Sequence, residues 1–338
     1  MIEPNVNIKK MFRTSARSRK EYLRLDKNDS IELPVAFVKK VLKEVTPELL
    51  AMYPEYDVVE KCIAKYHKVQ KGNVFLANGS DSAIKSIFEI YNPRNVLLTE
   101  PTFAMYKVYC KMYGLSNKSI HYDNIHFPFT NFYNNINNNQ IAVVVNPNNP
   151  IGSVVNNTQL EKLISKEKDC LLIADEAYHG LYKKTATPLI KKYDNLIVLR
   201  TFSKFFGLAS LRFGYVIASE DIINNLNKSR PSFDVNSVAC LFVEKIINNK
   251  ELIKKIEKDC RISKDYIQNI LSKNGIDFIS TETNFILIKC NVKEVMNKLK
   301  KKKILVGGNF NYPLQNYIRI TVGSIKHMQK FWNEFKRL

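Results

Sequence analysis

One lysine in this sequence stands where its amine can be put to chemical use. Lys204 follows Thr201 and Ser203 and precedes Arg212 by eight residues, in the run Arg200-Thr-Phe-Ser-Lys-Phe-Phe-Gly-Leu-Ala-Ser-Leu-Arg-Phe-Gly-Tyr215. A free lysine amine, with a pKa near ~10.4, is a poor base at neutral pH. Condensed with an aldehyde, it becomes part of a catalyst. The hydroxyls of Thr201 and Ser203 and the guanidinium of Arg212 suit a phosphate. A cofactor with both an aldehyde and a phosphate needs this set, and pyridoxal 5′-phosphate is such a cofactor.

Further residues fit the same chemistry. Asp175 closes an apolar run in Ala174-Asp-Glu-Ala-Tyr178, 29 residues before Lys204, the length of about one strand–helix–strand unit. A carboxylate at the carboxyl edge of an α/β sheet lies where ligands bind. Paired with a protonated ring nitrogen, it would keep the heterocycle cationic and able to absorb electrons. Read alone, Asp175 and Glu176 could equally start a helix. Gly79, Ser80 and Asp81 lie between a strand-like run and a helical one. A helix start there offers free N–H groups to a phosphate, or is simply capped by Ser80 or Asp81. Asn149 sits in Asn146-Pro-Asn-Asn-Pro-Ile-Gly152, a turn-rich run after another apolar strand. Arg319 lies in Tyr317-Ile-Arg-Ile-Thr-Val322, where its fork could bind a carboxylate or face solvent.

These motifs together resemble the class I/II aminotransferases of pyridoxal-phosphate fold type I, most of all the histidinol-phosphate aminotransferase branch. The resemblance runs over roughly residues 22 to 325. It implies that Lys204, Asp175 and Tyr178 are catalytic, with Tyr178 and Asn149 donating to the cofactor 3′-oxygen. Gly79, Ser80, Asp81, Thr201, Ser203 and Arg212 would hold its phosphate. Phe103, in Pro101-Thr-Phe-Ala-Met-Tyr106, would stack on its ring. Arg319, with Asn149, would bind the substrate, its fork gripping the α-carboxylate. Tyr53, before Pro54, would reach the phosphate of a partner subunit, which implies a homodimer with shared active sites. The implied reaction moves an amino group from an amino acid, glutamate being the expected donor, to a small keto compound, phosphorylated or not. Decarboxylases of phosphothreonine or phosphoserine resemble the same branch and stay open as an alternative. Two stretches depart from the branch. Gly307-Gly308 stand where most members carry an arginine, and Met11 to Asp29 is rich in arginine (Arg13, Arg17, Arg19, Arg24).

The elements that must position these groups show in the apolar patterning. Between residues 73 and 217 short apolar runs (74–77, 95–99, 141–145, 170–174, 196–199 and 213–218) alternate with helical segments. Continuous apolar strands alternating with helices predict an α/β fold, a mostly parallel central sheet with helices on both faces. After Pro231 the pattern becomes long amphipathic helices and two strand-like runs, 284–289 and 317–322, a smaller α+β domain. The division expected is residues 1–52 as an N-terminal arm, 53–230 as the large cofactor-binding domain and 231–338 as the small domain, consistent with a soft prior of about 150 residues per domain. The asparagine-rich stretch 131–139 is expected to be a surface loop.

Composition bounds the rest. The 338 residues carry a net charge of +20, spread along the whole chain. No aromatic-interleaved basic patch appears, so nucleic acid is not an expected partner; the positive field would draw in anionic substrates. No apolar run approaches the roughly 18 residues of a membrane helix, and the N-terminus is polar rather than a signal peptide. The six cysteines are scattered with no CxxC pair, so reduced thiols, no metal site and a cytoplasmic setting are expected.

Overall fold

The computed structural model describes residues 19–29 and 31–338. Arg13 and Arg17 lie outside the described residues. Twelve strands are present among the described residues: β1 (Leu23–Leu25), β2 (Val74–Ala77), β3 (Asn95–Glu100), β4 (Ser116–His121), β5 (Ile141–Val145), β6 (Leu171–Asp175), β7 (Leu196–Thr201), β8 (Gly214–Ala218), β9 (Phe278–Ile279), β10 (Phe285–Lys289), β11 (Ile304–Val306) and β12 (Tyr317–Thr321).

Seven of these form one sheet in the order β2-β8-β7-β6-β5-β3-β4. From β7 to β4 all pairings are parallel, and only β8 runs against its neighbours. Both faces are covered. Phe75, Ile141, Val143 and Val145 pack on one side against Ile84, Ile87 and Tyr106 of helices Gly79–Tyr91 and Met105–Met112. Leu76, Ala142 and Val144 pack on the other against Ile63, Leu160 and Val243 of helices Asp57–His67, Asn157–Lys166 and Ser237–Ile247. Alternate residues of one strand serve opposite cores, which is why β5 reads as an unbroken apolar run.

The strand order places the site. β3 to β4 moves toward one edge, whereas β5, β6 and β7 step toward the other. The reversal leaves a crevice at the carboxyl ends of β3, β5, β6 and β7. β2 is antiparallel to β8, which is antiparallel to β7, so the exit of β2 opens on the same edge.

A second core lies around the smaller sheets. β12-β10-β9 are antiparallel, and β1 pairs in parallel with β11. Ile286, Ile288, Ile318 and Ile320 pack there with Leu271 and Phe331 of helices Lys250–Lys273 and Ile325–Phe335. A bridge between Gly307 and Arg319 joins β11's exit to β12.

One local feature differs from the sequence expectation, and one strand lies where the sequence reading assigned nothing. Residues 131–139 are not a loop: a helix spans Phe129–Asn134 and a 3-10 turn spans Ile136–Asn138. Phe132 and Ile136, four residues apart, are 0% and 1% exposed and anchor this stretch to the core, so burial overrides the weak helix propensity of asparagine. The polar run Ser116–His121 forms the edge strand β4, with one buried side chain, Ile120.

Candidate functional site

Five chain segments meet at the crevice, and ten of the expected residues line one cavity there: Ser80, Asp81, Phe103, Asn149, Asp175, Tyr178, Thr201, Ser203, Lys204 and Arg212. Gly79 precedes two of them at φ 79°, a left-handed conformation that favours glycine. A Cβ there would lie 2.4 Å from the Arg212 guanidinium, and one at Gly214 would lie 2.4 Å from the Gly79 carbonyl carbon. The turn is thus pressed onto β8 and Arg212, with the first N–H groups of helix Gly79–Tyr91 beside a guanidinium. Arg212 donates to Ser203 Oγ at 3.3 Å and stands 3.7 Å from the Asp81 carboxylate. Thr201 Oγ1 donates to Ser203 Oγ at 3.0 Å.

Asp175 ends β6 and is 2% exposed. Its carboxylate accepts from Tyr106 Oη at 2.8 Å and from the Ala177 N–H at 3.0 Å. Burial still pushes its pKa up to about 6, because two neutral donors do not replace the water lost. Burial likewise pushes the Lys204 amine down to about 8, the nearby Arg319 and Arg212 charges acting in the same direction. The Tyr178 and Tyr106 hydroxyls are raised, again first by burial. The same cavity therefore holds an acid in need of a cation, an amine whose pKa lies near neutrality and an anion cradle. That donor set fits pyridoxal 5′-phosphate, whose ring nitrogen, aldehyde and phosphate are spaced along one flat molecule.

The substrate side is built differently. Arg319 is nine-tenths buried, and its guanidinium donates to Asn149 Oδ1 and, at 3.0 Å, to the Asp26 carbonyl. Phe285 and Phe310 flank it, 5.2 and 5.4 Å from ring centre to guanidinium carbon. The carbonyl of Lys27 accepts from Lys204 Nζ at 3.0 Å, and Asn28 Nδ2 donates to Tyr178 Oη at 2.8 Å. Residues 26–28 thus cross the front of the site, with Arg19 paired to Asp26.

Tyr53 does not line this cavity. It is 75% exposed and stacks on Phe233, with ring centres 4.2 Å apart. Two contacts escaped sequence reasoning. Tyr106 lies in the same motif as Phe103, but its reach across to β6 carries no sequence signal. Asn28 lies in a stretch with neither periodicity nor turn chemistry. Behind the site, Arg200 of β7 pairs with Glu176 at 2.7 Å, both nearly fully buried, and the Ala186 N–H donates to the same carboxylate. This clamp fixes the exits of β6 and β7 relative to each other.

The parallel sheet, its carboxyl-edge lysine and acid and the adjoining anion cradle define a fold type I pyridoxal-phosphate enzyme. The chain belongs to the aminotransferase class I and II family, whose model matches residues 20–335. It is a pyridoxal-phosphate-dependent aminotransferase. Among curated relatives, a histidinol-phosphate aminotransferase of Clostridium novyi is 32% identical over 330 residues, 91% of this chain and 89% of its own. A histidinol-phosphate aminotransferase of Sinorhizobium meliloti, solved with pyridoxal 5′-phosphate, shares the fold at TM-score 0.86 and 19% identity, over 93% of this chain and 90% of that one. An L-threonine-O-3-phosphate decarboxylase of Porphyromonas gingivalis shares it at TM-score 0.79 and 22% identity, over 93% and 98%.

Proposed function

We propose that this aminotransferase moves an amino group between glutamate and a small phosphorylated keto compound of the histidinol-phosphate type, with Lys204 as the cofactor anchor and proton carrier. The observation that carries this reading is that a buried acid, Asp175, and a partly buried amine of lowered pKa, Lys204, line one cavity that also holds Arg212. When bound, pyridoxal phosphate supplies the electrophile and the electron sink. Asp175 holds the ring nitrogen protonated. Gly79, Ser80 and Asp81 offer main-chain N–H groups to the phosphate, and Thr201, Ser203 and Arg212 complete its cradle. Phe103 covers the ring face. Tyr178 Oη and the Asn149 amide donate to the 3′-oxygen. Arg319 grips the substrate carboxylate or equivalent anion. Lys204 Nζ, its proton affinity lowered by burial, takes the proton from the substrate Cα.

The expected division is 53–230 as the cofactor-binding unit and 231–338 as the small one; helix Ser237–Ile247 and the first half of helix Lys250–Lys273 pack on the large-sheet core, so the small unit is read as starting within that second helix. Of the N-terminal arm, β1 pairs with β11 of the small unit whereas Val41 packs on the large core. A homodimer with Tyr53 reaching the partner's cofactor is supported by a belt of exposed apolar residues. Val35, Leu50, Met52, Tyr53 and Val58 are each more than half exposed. The free cysteines among the described residues, four of them buried, support a cytoplasmic setting. Decarboxylation of phosphothreonine or phosphoserine is the second reading, and the decarboxylase of the same fold is its support.

The test is a panel of amino donors mixed with cofactor-loaded enzyme while its visible absorbance is followed. Glutamate should convert the cofactor to its amine form and release 2-oxoglutarate, and the keto form of histidinol phosphate should restore the starting spectrum. Release of CO₂ from phosphothreonine or phosphoserine, with no keto acid, would overturn transamination as the reaction.

A further inference from the structure

We propose that Asn28 is a positioning residue that sets the strength and direction of the Tyr178 hydroxyl as a donor, tying it to the sheet that carries the substrate anchor. The inference rests on the reading that Tyr178 donates to the cofactor 3′-oxygen.

Asn28 is 1% exposed, yet it belongs to an irregular segment rather than to a strand or helix. Among the described residues, the hydrogen bonds that hold it come from distant parts of the chain. Its N–H donates to Thr321 Oγ1 at 3.0 Å, two residues along β12 from Arg319. Its carbonyl accepts from Asn284 Nδ2 at 3.1 Å, at the start of β10. Its φ of 57° is left-handed, a conformation asparagine tolerates better than most residues. The backbone at 28 is thus fixed by the small sheet, and only the side chain crosses to the large one. There Nδ2 donates to Tyr178 Oη at 2.8 Å.

A phenol oxygen that accepts a hydrogen bond from an amide has its own proton directed elsewhere. It is also a stronger donor, because the amide stabilises the negative charge that builds on that oxygen as its proton is shared. In keeping with this, the Asn28 contact acts to lower the Tyr178 pKa against the rise imposed by burial. Tyr178 is held from its other side by packing edge-on against Phe285 of β10, at 5.5 Å between ring centres, so the same small sheet supplies both constraints. A stronger donor at the 3′-oxygen favours the deprotonated form of the lysine–cofactor link. Loss of the amide should therefore move the pH at which that link titrates upward.

The test uses cofactor-loaded enzyme and reads the midpoint of its visible absorbance change with pH. Asn28→Gly removes the amide while keeping a residue suited to the left-handed backbone. It should raise the midpoint by about 0.5 to 1 pH unit. Tyr178→Phe should raise it at least as far, and adding Asn28→Gly to Tyr178→Phe should add nothing further. Should the glycine variant not fold, Asn28→Ser removes the same amide and is read in the same way. A Tyr178→Phe shift with none for the Asn28 variants would overturn the role of Asn28 alone. Equal Asn28 shifts with and without the Tyr178 hydroxyl would overturn it too. No shift for Tyr178→Phe would instead overturn the placement of Tyr178 at the 3′-oxygen.

Discussion

The edge of the large sheet and the segment that faces it across the crevice solve different problems. On the sheet edge the acid and the anion cradle are partnered from within, Asp175 by Tyr106 and a backbone N–H and Ser203 by Thr201 and Arg212, while Lys204 and Tyr178 take partners from residues 27 and 28. Across the crevice, Asn28 Oδ1, Asn284 Oδ1 and Arg319 Nε are buried with no hydrogen-bond partner among the described residues. Buried polar atoms without partners are costly unless a ligand completes them. The first region is built around one unchanging group. The second takes its last partners from whatever molecule enters.

Substitutions on the two sides should therefore differ in whether their effect depends on the substrate. The largest effect is expected from Lys204→Ala, which should cut turnover by about 10⁴-fold with every donor. Borohydride reduction followed by mass spectrometry should no longer fix the cofactor to the chain; a stable adduct at another lysine would show the anchor to be misassigned.

Asp175→Asn should cost about 10³-fold, again independently of the donor. Its effect on the cofactor-free protein should be the reverse. Burial raises the Asp175 pKa from 3.8 in water to about 6, so the folded state keeps its proton to higher pH than the unfolded one. That contribution to stability is whole below about pH 3.8 and is lost as pH rises through about 6. Denaturation curves of apoprotein should show Asp175→Asn gaining about 2 to 3 kcal/mol on wild type across this window. A constant difference from pH 4 to 7 would show that Asp175 ionises freely in the apoprotein.

Arg319→Lys should separate the two regions most cleanly. The lysine keeps a charge but not the planar fork, so kcat/KM for carboxylate-bearing donors should fall about 100-fold. The cofactor spectrum and its affinity should hardly change. An equal loss for an amine that lacks a carboxylate would place Arg319 with the cofactor groups. The smallest effect is expected from Tyr106→Phe, about 10-fold in turnover. Removing a donor from the Asp175 carboxylate raises that pKa further, so the acid limb of the pH–rate profile should move to higher pH. A movement to lower pH would mean that the tyrosine opposes the ionised form.

What could be read from the sequence follows the same division. Asp175, Asn149, Thr201 and Lys204 each come after a short apolar run of strand length, and the alternation of such runs with helical segments, together with the other motifs, points to one sheet edge. The Tyr106 contact joins residues 69 apart through a helix start, and nothing in the spacing of side chains encodes it. Asn28 is further removed, 150 positions from Tyr178 in a stretch with no repeat to read. The edge strand β4 was hidden because its solvent-facing run has only Ile120 to bury. The helix at Phe129–Asn134 was hidden because its anchors are outnumbered by asparagines.

A side chain at Gly214 would run into the Gly79 backbone, and one at Gly79 into the Arg212 guanidinium. Nothing at that point can be enlarged or recharged without pushing apart the turn and the strand behind it. Variants selected for new substrates would have to change along residues 26–29 and around Gly307 to Phe310, while the vitamin's seat stays as it is.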